Sequence, residues 1–330
     1  MGKKVFILFP DGVGLRNFAF TGFKEIGEKL DFDITYWNNT VFPIKETLGF
    51  QELKIQSTRI HPKTPVLSHA RKRVELALSR KRTNDKVYST YRFPLKWNSI
   101  KDFLKSSFVT YHERFCATQR GWQQLMDQMY AAERSTSRYQ EVRRQLMEHQ
   151  PDLVFCTTQR ATQAIAPILA AQDLGIKTAC WIYSWDNLPK GMSTIETDYY
   201  FVWSELMKQQ LLEYYPKTKP DQIFVTGTPQ FEPHYDPDIL LSRKQFCDEH
   251  GLDVDTRYIC FSGDDQTTSP LDQYYLEDTA IAVRKLRAEG RNLAIIYRKV
   301  PVDFSGRYEQ ILKEYQDVIT AVDPLWRPMG

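Results

Sequence analysis

The stretch PDLVFCTTQRATQAIAPILAAQDLGIKTACWIY, residues 151–183, decides the fold. After Pro151-Asp152 comes a short continuous apolar run to Cys156, the pattern of a strand buried on both faces. The Ala-rich segment Thr158 to Leu174 reads as a helix and stops at Gly175, a residue that takes the left-handed conformation closing many helices. Lys177 to Tyr183 then returns to a strand pattern. Strand, helix and strand in so short a span make a βαβ unit, which places the strands parallel, with helices over the sheet.

The same rhythm extends on both sides. Downstream, Tyr199 to Trp203 reads as a strand, Ser204 to Tyr215 as a helix with a serine N-cap closed by Pro216, and Gln222 to Thr226 as a strand. Upstream, Lys3 to Phe9 is a buried strand and Pro10 to Gly14 a turn. Asn17 to Leu30 is an amphipathic helix with Phe18, Phe20, Phe23, Ile26 and Leu30 apolar, and Phe32 to Trp37 a second strand. Leu76 and Leu78 within Arg71 to Arg82 suggest one basic helix, and Ile100 to His149 reads as two helices punctuated near Gly121. Prolines at 229, 233 and 237 mark a linker, with a charged helix at about Leu241 to His250. A second series follows: strand Tyr258 to Phe261, a helix through Ala280 to Leu286, strand Leu293 to Tyr297, helix Tyr308 to Tyr315 and strand Val318 to Val322.

The expected fold is therefore α/β, with two Rossmann-like doubly wound parallel-sheet domains. The first covers 1–230 with a basic helical insertion at about 51–105, the linker 231–255, and a partial second domain 256–330. The second holds two to three βα units where an open doubly wound sheet usually has five or six strands. A continuation beyond Gly330 is expected, the alternatives being a covering partner or a naturally reduced protein.

Composition fits a globular chain: 42% hydrophobic and 26% charged residues over 330 positions. No apolar run approaches the roughly 20 residues of a membrane span. The basic start at Lys3-Lys4 mimics a signal peptide, but Asp11 and Gly12 interrupt its short apolar stretch. Cys116, Cys156, Cys180, Cys247 and Cys260 are scattered, odd in number and without CxxC spacing, which points to a reducing, cytoplasmic setting and no zinc site. Residues 51–105 hold 14 Lys and Arg against 4 acids, a local excess of 14 − 4 = +10 inside a chain of net +3. That block suits an anionic partner such as a membrane surface or a lipid-linked phosphate, nucleic acid being the less expected one; the plain alternative is a solvated helical face.

Ligands of open parallel sheets bind at the carboxyl ends of the strands, so the loops there are the candidate site. Asp11-Gly12-Val13-Gly14-Leu15-Arg16-Asn17 follows the first strand. Its glycines let backbone approach a ligand, Asp11 can take a proton from a hydroxyl, and Arg16 can hold a phosphate or carboxylate. The spacing is not GxGxxG, which disfavours a dinucleotide oxidoreductase; a Gly-rich turn with a solvated aspartate is the alternative. Ser184-Trp185-Asp186-Asn187-Leu188-Pro189-Lys190 gathers Trp185 to stack on a sugar, Asp186 and Asn187 to bond its hydroxyls, and Lys190 beside them. The alternative there is an Asx-turn anchored by Trp185. In the second domain, Ser262-Gly263 can offer backbone N–H groups to a phosphate, and Arg298-Lys299 can neutralise a departing diphosphate or be plain surface charge. No P-loop, GxSxG, HExxH or kinase motif set is present, and the six histidines lack metal-ligand spacing.

The blocks Ser184-Trp185-Asp186-Asn187-Leu188, Val202-Trp203-Ser204-Glu205-Leu206-Met207-Lys208 and Val225-Thr226-Gly227-Thr228-Pro229-Gln230-Phe231, with Arg298-Lys299-Val300-Pro301, resemble GT-B glycosyltransferase-like proteins of surface polysaccharide synthesis, relatives of the CDP-glycerol glycerophosphotransferases. The likeness runs from about Pro151 to Pro324. It implies an acceptor, a glycan or a lipid-linked molecule, held mainly by the first domain and a nucleotide-sugar donor by the second. It also implies a metal-independent transfer without a cofactor, at the cytoplasmic membrane face. A nucleotide-sugar 2-epimerase of the same architecture and a truncated, non-catalytic homologue binding an anionic surface are the alternatives.

Overall fold

The computed structural model describes residues 2–266 and 268–324; Thr267 and the last six residues of the expected second domain lie outside them. The elements in chain order are β1 (Lys3–Phe9), α1 (Leu15–Phe18), α2 (Phe23–Lys29), β2 (Phe32–Asn38), α3 (Ile44–Leu48), β3 (Glu52–Lys54), α4 (Thr64–Thr83), α5 (Ile100–Phe115), α6 (Gln119–Arg134), α7 (Ser137–His149), β4 (Leu153–Cys156) and α8 (Ile165–Asp173). They continue as β5 (Lys177–Trp181), β6 (Tyr199–Val202), α9 (Glu205–Tyr214), β7 (Ile223–Val225), α10 (Arg243–His250), β8 (Arg257–Ser262), α11 (Asp272–Ala288), β9 (Leu293–Arg298), α12 (Glu309–Glu314) and β10 (Ile319–Val322). The chain divides into two compact units, residues 1–233 and 234–330.

The first unit is a seven-stranded parallel sheet of order β3-β2-β1-β4-β5-β6-β7. Chain order runs outward from β1 to β3 and resumes on the other side at β4, so the topological switch point lies between β1 and β4. β1 shows why the sheet sits at the centre: Phe6 and Leu8 belong to one core and Val5, Ile7 and Phe9 to the other, so both faces of a period-2 strand are buried. One core is filled from α4, α6, α7 and α8 by residues such as Val74, Met129, Leu146 and Ile168; the other takes Phe18, Phe42 and Ile44. The second unit is a three-stranded parallel sheet, β10-β9-β8, whose core joins Leu276, Ala280 and Val283 of α11 to Ile295, Tyr297 and Ile319. These are the two Rossmann-like sheets expected, GT-B-like in class, the second smaller.

Several sequence readings need correction. The expected helix Asn17–Leu30 breaks into α1 and α2, and Phe20, Ile26 and Leu30 stand exposed, so its apolar period did not mark a buried face. Ile100–His149 forms three helices, not two. The breaks fall where Thr118 and Thr136 act as N-caps, accepting hydrogen bonds from Gly121 N and Tyr139 N. Gly121 lies inside the first turn of α6, where a Cβ would stand 2.1 Å from Cys116 O. The basic block is also not a solvated face throughout. Arg71 is buried and paired with Glu75 at 2.6 Å, Arg73 and Arg92 share Glu113 at 2.7 and 2.6 Å, and Lys72 is buried with its ammonium 3.5 Å over the Phe93 ring. Five cysteines are free, three of them buried and Cys260 exposed.

Candidate functional site

At the switch point the loops after β1 and β4 touch. A Cβ on Gly14 would lie 2.2 Å from Thr157 Oγ1, and that hydroxyl is fixed by donating to Leu8 O at 3.0 Å. Glycine is therefore required by close approach, not by a special φ. Gly14→Ala is expected to push the two loops apart and lower the unit's stability by about 1–3 kcal/mol, as overpacking does; an unchanged thermal unfolding midpoint would remove this explanation.

Asp11 caps the Gly12–Gly14 turn, its Oδ1 accepting from Val13 N at 3.0 Å. Burial raises its pKa, with the Val13 N–H and the Arg160 charge acting in the opposite direction. Arg160, on the loop after β4, packs its guanidinium over Tyr183 at 5.2 Å. Arg16 turns the other way and donates to Gln230 Oε1 at 2.8 Å, while Gly22 N donates to Glu232 at 2.6 Å, so the segment after β7 is tied back to the first loop. Asn17 is 0% exposed and neither side-chain atom has a partner among the described residues, although a buried amide normally does.

The loop after β5 is closed on itself. Asp186 accepts from Ser184 Oγ at 2.6 Å, Asn187 Nδ2 at 3.1 Å and Lys190 Nζ at 2.5 Å, and the Asn187 Oδ1 accepts from Gln159 Nε2 at 3.2 Å. Burial acts to raise the Asp186 pKa, but Lys190 and Ser184 outweigh it and the net direction is down. Gln159 also takes the Tyr183 N–H at 3.1 Å and, through its carbonyl, Thr194 N at 2.9 Å, joining this loop to the one after β4. Asp186 and Lys190 therefore spend their polar groups on the loop itself, as in the Asx-turn alternative, and Asn187 divides its amide between Asp186 and Gln159. Trp185 does not anchor the loop: it is 66% exposed.

A cationic cavity of about 360 Å³ opens beside Arg160, with His69, Arg71, Lys72, Phe93 and Met192 among its lining residues and no carboxylate in the lining. Lys72 is 6% exposed; Met192 Sδ at 3.3 Å and the Phe93 ring are its contacts, and no ion pair neutralises it among the described residues. Burial, with Arg71 next to it, draws its pKa down to about 8. His69 Nε2 is buried without a partner, and its pKa is lowered first by burial and then by Arg73. At Lys72 the Glu75 charge acts in the opposite direction but does not outweigh burial and Arg71, and a buried cation without an ion pair is costly unless an anion meets it. Sequence reasoning missed this cavity, although His69 and Lys72, three apart on one helix, face the same side.

In the second unit, Ser262 pairs in register with Arg298, and Gly263 N donates to Arg298 O at 2.9 Å. A Cβ at Gly263 would meet the Tyr297 ring at 3.0 Å. Arg298 donates to Asp323 O at 2.9 Å and Lys299 is exposed. The following loop is held by Arg307, which donates to Asp303, Ser269 O and Asp264 O, and by Tyr308, which donates to Asp272 at 2.6 Å. The site residues thus form two groups: Asp11, Gly12, Gly14, Arg16, Asn17, Trp185, Asp186, Asn187 and Lys190 at the carboxyl edge of the first sheet, and Ser262, Gly263, Arg298 and Lys299 at that of the second. Among the described residues no group of three or more His, Cys, Asp or Glu is placed to hold a metal ion.

No family model matches the chain, and no curated protein does. Solved structures do. A putative UDP-N-acetylglucosamine 2-epimerase from Listeria monocytogenes is 13% identical, over 98% of this chain and 70% of that one, with a TM-score of 0.51. UDP-GlcNAc 2-epimerase from Neisseria meningitidis, bound to UDP-GlcNAc, is 10% identical over 98% of this chain and 73% of that one, with a TM-score of 0.50. At such identities the likeness is one of fold: two parallel-sheet units in succession, spanning nearly the whole chain.

Proposed function

We propose that the chain is a nucleotide-sugar enzyme that transfers the sugar to an acceptor bound by the first unit. The observation that favours transfer is the cationic cavity beside Arg160, where Lys72 lacks a counter-ion. A transferase needs a place for a second, anionic substrate, whereas an epimerase needs none. In this reading Lys72, His69 and Arg160 hold a phosphate or carboxylate of the acceptor. The acceptor hydroxyl oxygen attacks the anomeric carbon, the bond from that carbon to the diphosphate oxygen breaks, and Asp11 receives the hydroxyl proton. Within the second unit, the backbone at Ser262-Gly263 and the charges of Arg298 and Lys299 are the groups suited to bind the diphosphate of a nucleotide sugar. Gly12 gives the backbone approach to substrate, Gly14 lets the loop close on Thr157 behind it, and Trp185 supplies an exposed ring for a sugar face. The finer likeness to surface-polysaccharide enzymes belongs to this reading.

The 2-epimerase alternative keeps one observation in its favour, the two solved epimerases of the same fold. A panel of labelled nucleotide sugars separates the two. Label appearing on a lipid-phosphate or glycan acceptor supports transfer, and epimerised sugar without any acceptor assigns the alternative. Label unchanged throughout the panel leaves the third possibility, a non-catalytic homologue. Lys72→Met is an independent check: removing a buried cation is expected to stabilise the unliganded protein by about 1–3 kcal/mol while abolishing acceptor binding. The sign follows from the lowered pKa. Between about pH 8 and the ordinary lysine value the unfolded chain holds more protons at this site, so the wild-type penalty fades as pH rises, and the variant's advantage fades with it. A variant less stable than wild type at pH 7, with acceptor binding intact, sinks the assignment.

A further inference from the structure

We propose that α5, with Trp97 before it, is a docking surface for an anionic lipid bilayer. Ile100, Phe103, Leu104, Tyr111 and Phe115 are all exposed, Ile100 at 83% and Phe115 at 70%. At 100° per residue these five fall on one stripe of the helix, while the opposite side, through Ser106 and Val109, is buried in the unit. An ordinary surface helix is built the other way round, with its apolar stripe inward. Trp97 is exposed and sets its ring edge-on to Phe103 at 5.7 Å, extending the patch beyond the helix. The loop that holds it is fixed, because Ser106 Oγ donates to Lys96 O at 2.6 Å.

The occupant follows from charge. Lys96, Lys101, Lys105 and Arg114 are exposed around the patch. The two acids of the helix are already engaged: Asp102 caps with Ser99, and Glu113 is paired with Arg73 and Arg92. An apolar stripe with an aromatic and a cationic margin suits the boundary between headgroups and acyl chains of a negatively charged bilayer. No helix among the described residues is long and apolar enough to cross a membrane, so the contact is with the surface. The basic block seen in the sequence thus acts through α5 and its flanks, since Arg71 and Arg73 of α4 are paired with Glu75 and Glu113 and Lys72 is buried. Phe93, which lines the cationic cavity, lies four residues before Trp97. If the transferase reading holds, the acceptor phosphate is one carried on a lipid; the docking itself does not depend on that reading.

The test is flotation of the whole protein with vesicles of phosphatidylcholine alone and of phosphatidylcholine with phosphatidylglycerol. Expected is partition to the anionic vesicles that falls as salt is raised and drops roughly 100-fold in the double variant Phe103→Ser, Leu104→Ser. Both positions are exposed, so the fold persists, and circular dichroism of the variant checks this. A fluorescence blue shift on anionic vesicles that is absent in Trp97→Phe places the contact at this patch. Equal flotation of the double variant overturns the proposal. So does a wild-type dimer in sedimentation that ignores vesicles and becomes monomeric in the variant, because the patch would then belong to a second copy. Neither outcome touches the sugar-transfer assay, which is read in detergent with a soluble acceptor.

Discussion

Asp11→Asn is expected to lower sugar transfer by about 10²- to 10⁴-fold, the usual contribution of a positioned general base, while KM for the donor stays near its wild-type value. The substitution is chosen because it preserves the local structure. An asparagine Oδ1 still accepts from Val13 N, so the turn over Gly12–Gly14 keeps its cap. Stability moves in the other direction from activity. Burial raises the Asp11 pKa, so the folded protein binds more protons at this site than the unfolded chain and the aspartate weakens the fold as pH rises past the ordinary carboxylate range. Removing its charge leaves stability at pH 7 unchanged or slightly higher. The same shift sets the acid limb of the pH–rate profile: a base works deprotonated, so turnover falls as pH drops through a value displaced upward from that of a free aspartate. Wild-type turnover in the variant, or a limb that stays in place when Asp11 is replaced, rejects the role.

The second large effect concerns Glu75. Its carboxylate is buried and takes three partners: Arg71 and Trp122 Nε1 on one oxygen, at 2.6 and 3.1 Å, and Tyr215 OH on the other at 2.5 Å, with Arg71 in turn donating to Gly191 O at 3.1 Å. The chain at Gly191 passes close by: its φ of +64 already requires glycine, and a Cβ there would stand 3.4 Å from the Glu75 carboxyl carbon. Glu75→Ala leaves the Arg71 guanidinium buried without its counter-charge, and the expected loss is about 3–5 kcal/mol. Urea unfolding followed by tryptophan fluorescence should show the first unit's midpoint falling by roughly 1–2 M. Replacing both partners, Arg71→Met with Glu75→Leu, should return most of that loss, because the charge that needs compensation is gone. A single variant with the wild-type midpoint, or a double variant no better than the single, contradicts this account.

The two cases show what the sequence carries and what it does not. β1 was legible to the residue, Lys3–Phe9, because a strand buried on both faces is an apolar run with sharp ends. The repeated strand–helix rhythm likewise gave both parallel sheets, and Gly175 closes α8 with a φ of +73 as its position implied. The helix expected at Asn17–Leu30 failed because its phenylalanines serve a short broken segment and a surface. β3, three residues at the sheet edge, had too little pattern to register. Of the candidate site, loop positions after strands followed from fold logic alone. The spending of Asp186, Asn187 and Lys190 on one another, and the isolation of Lys72 within a basic helix, are pairing facts. The first is a local closure that the loop's own residues permitted but did not require, and the second depends on contacts across 120 residues, such as Arg71 with the Gly191 carbonyl, which composition cannot show.

The sheet order has a kinetic consequence. β1 pairs on one side with β2, about 30 residues away, and on the other with β4, where Val5 is opposite Leu153. During synthesis at about 5–20 residues per second, Val5 to Phe9 therefore wait on the order of ten seconds with one edge unpaired. Such distant pairing slows folding. A strand destined to be buried on both faces is then also one that a chaperone, or another nascent copy, has a long time to find.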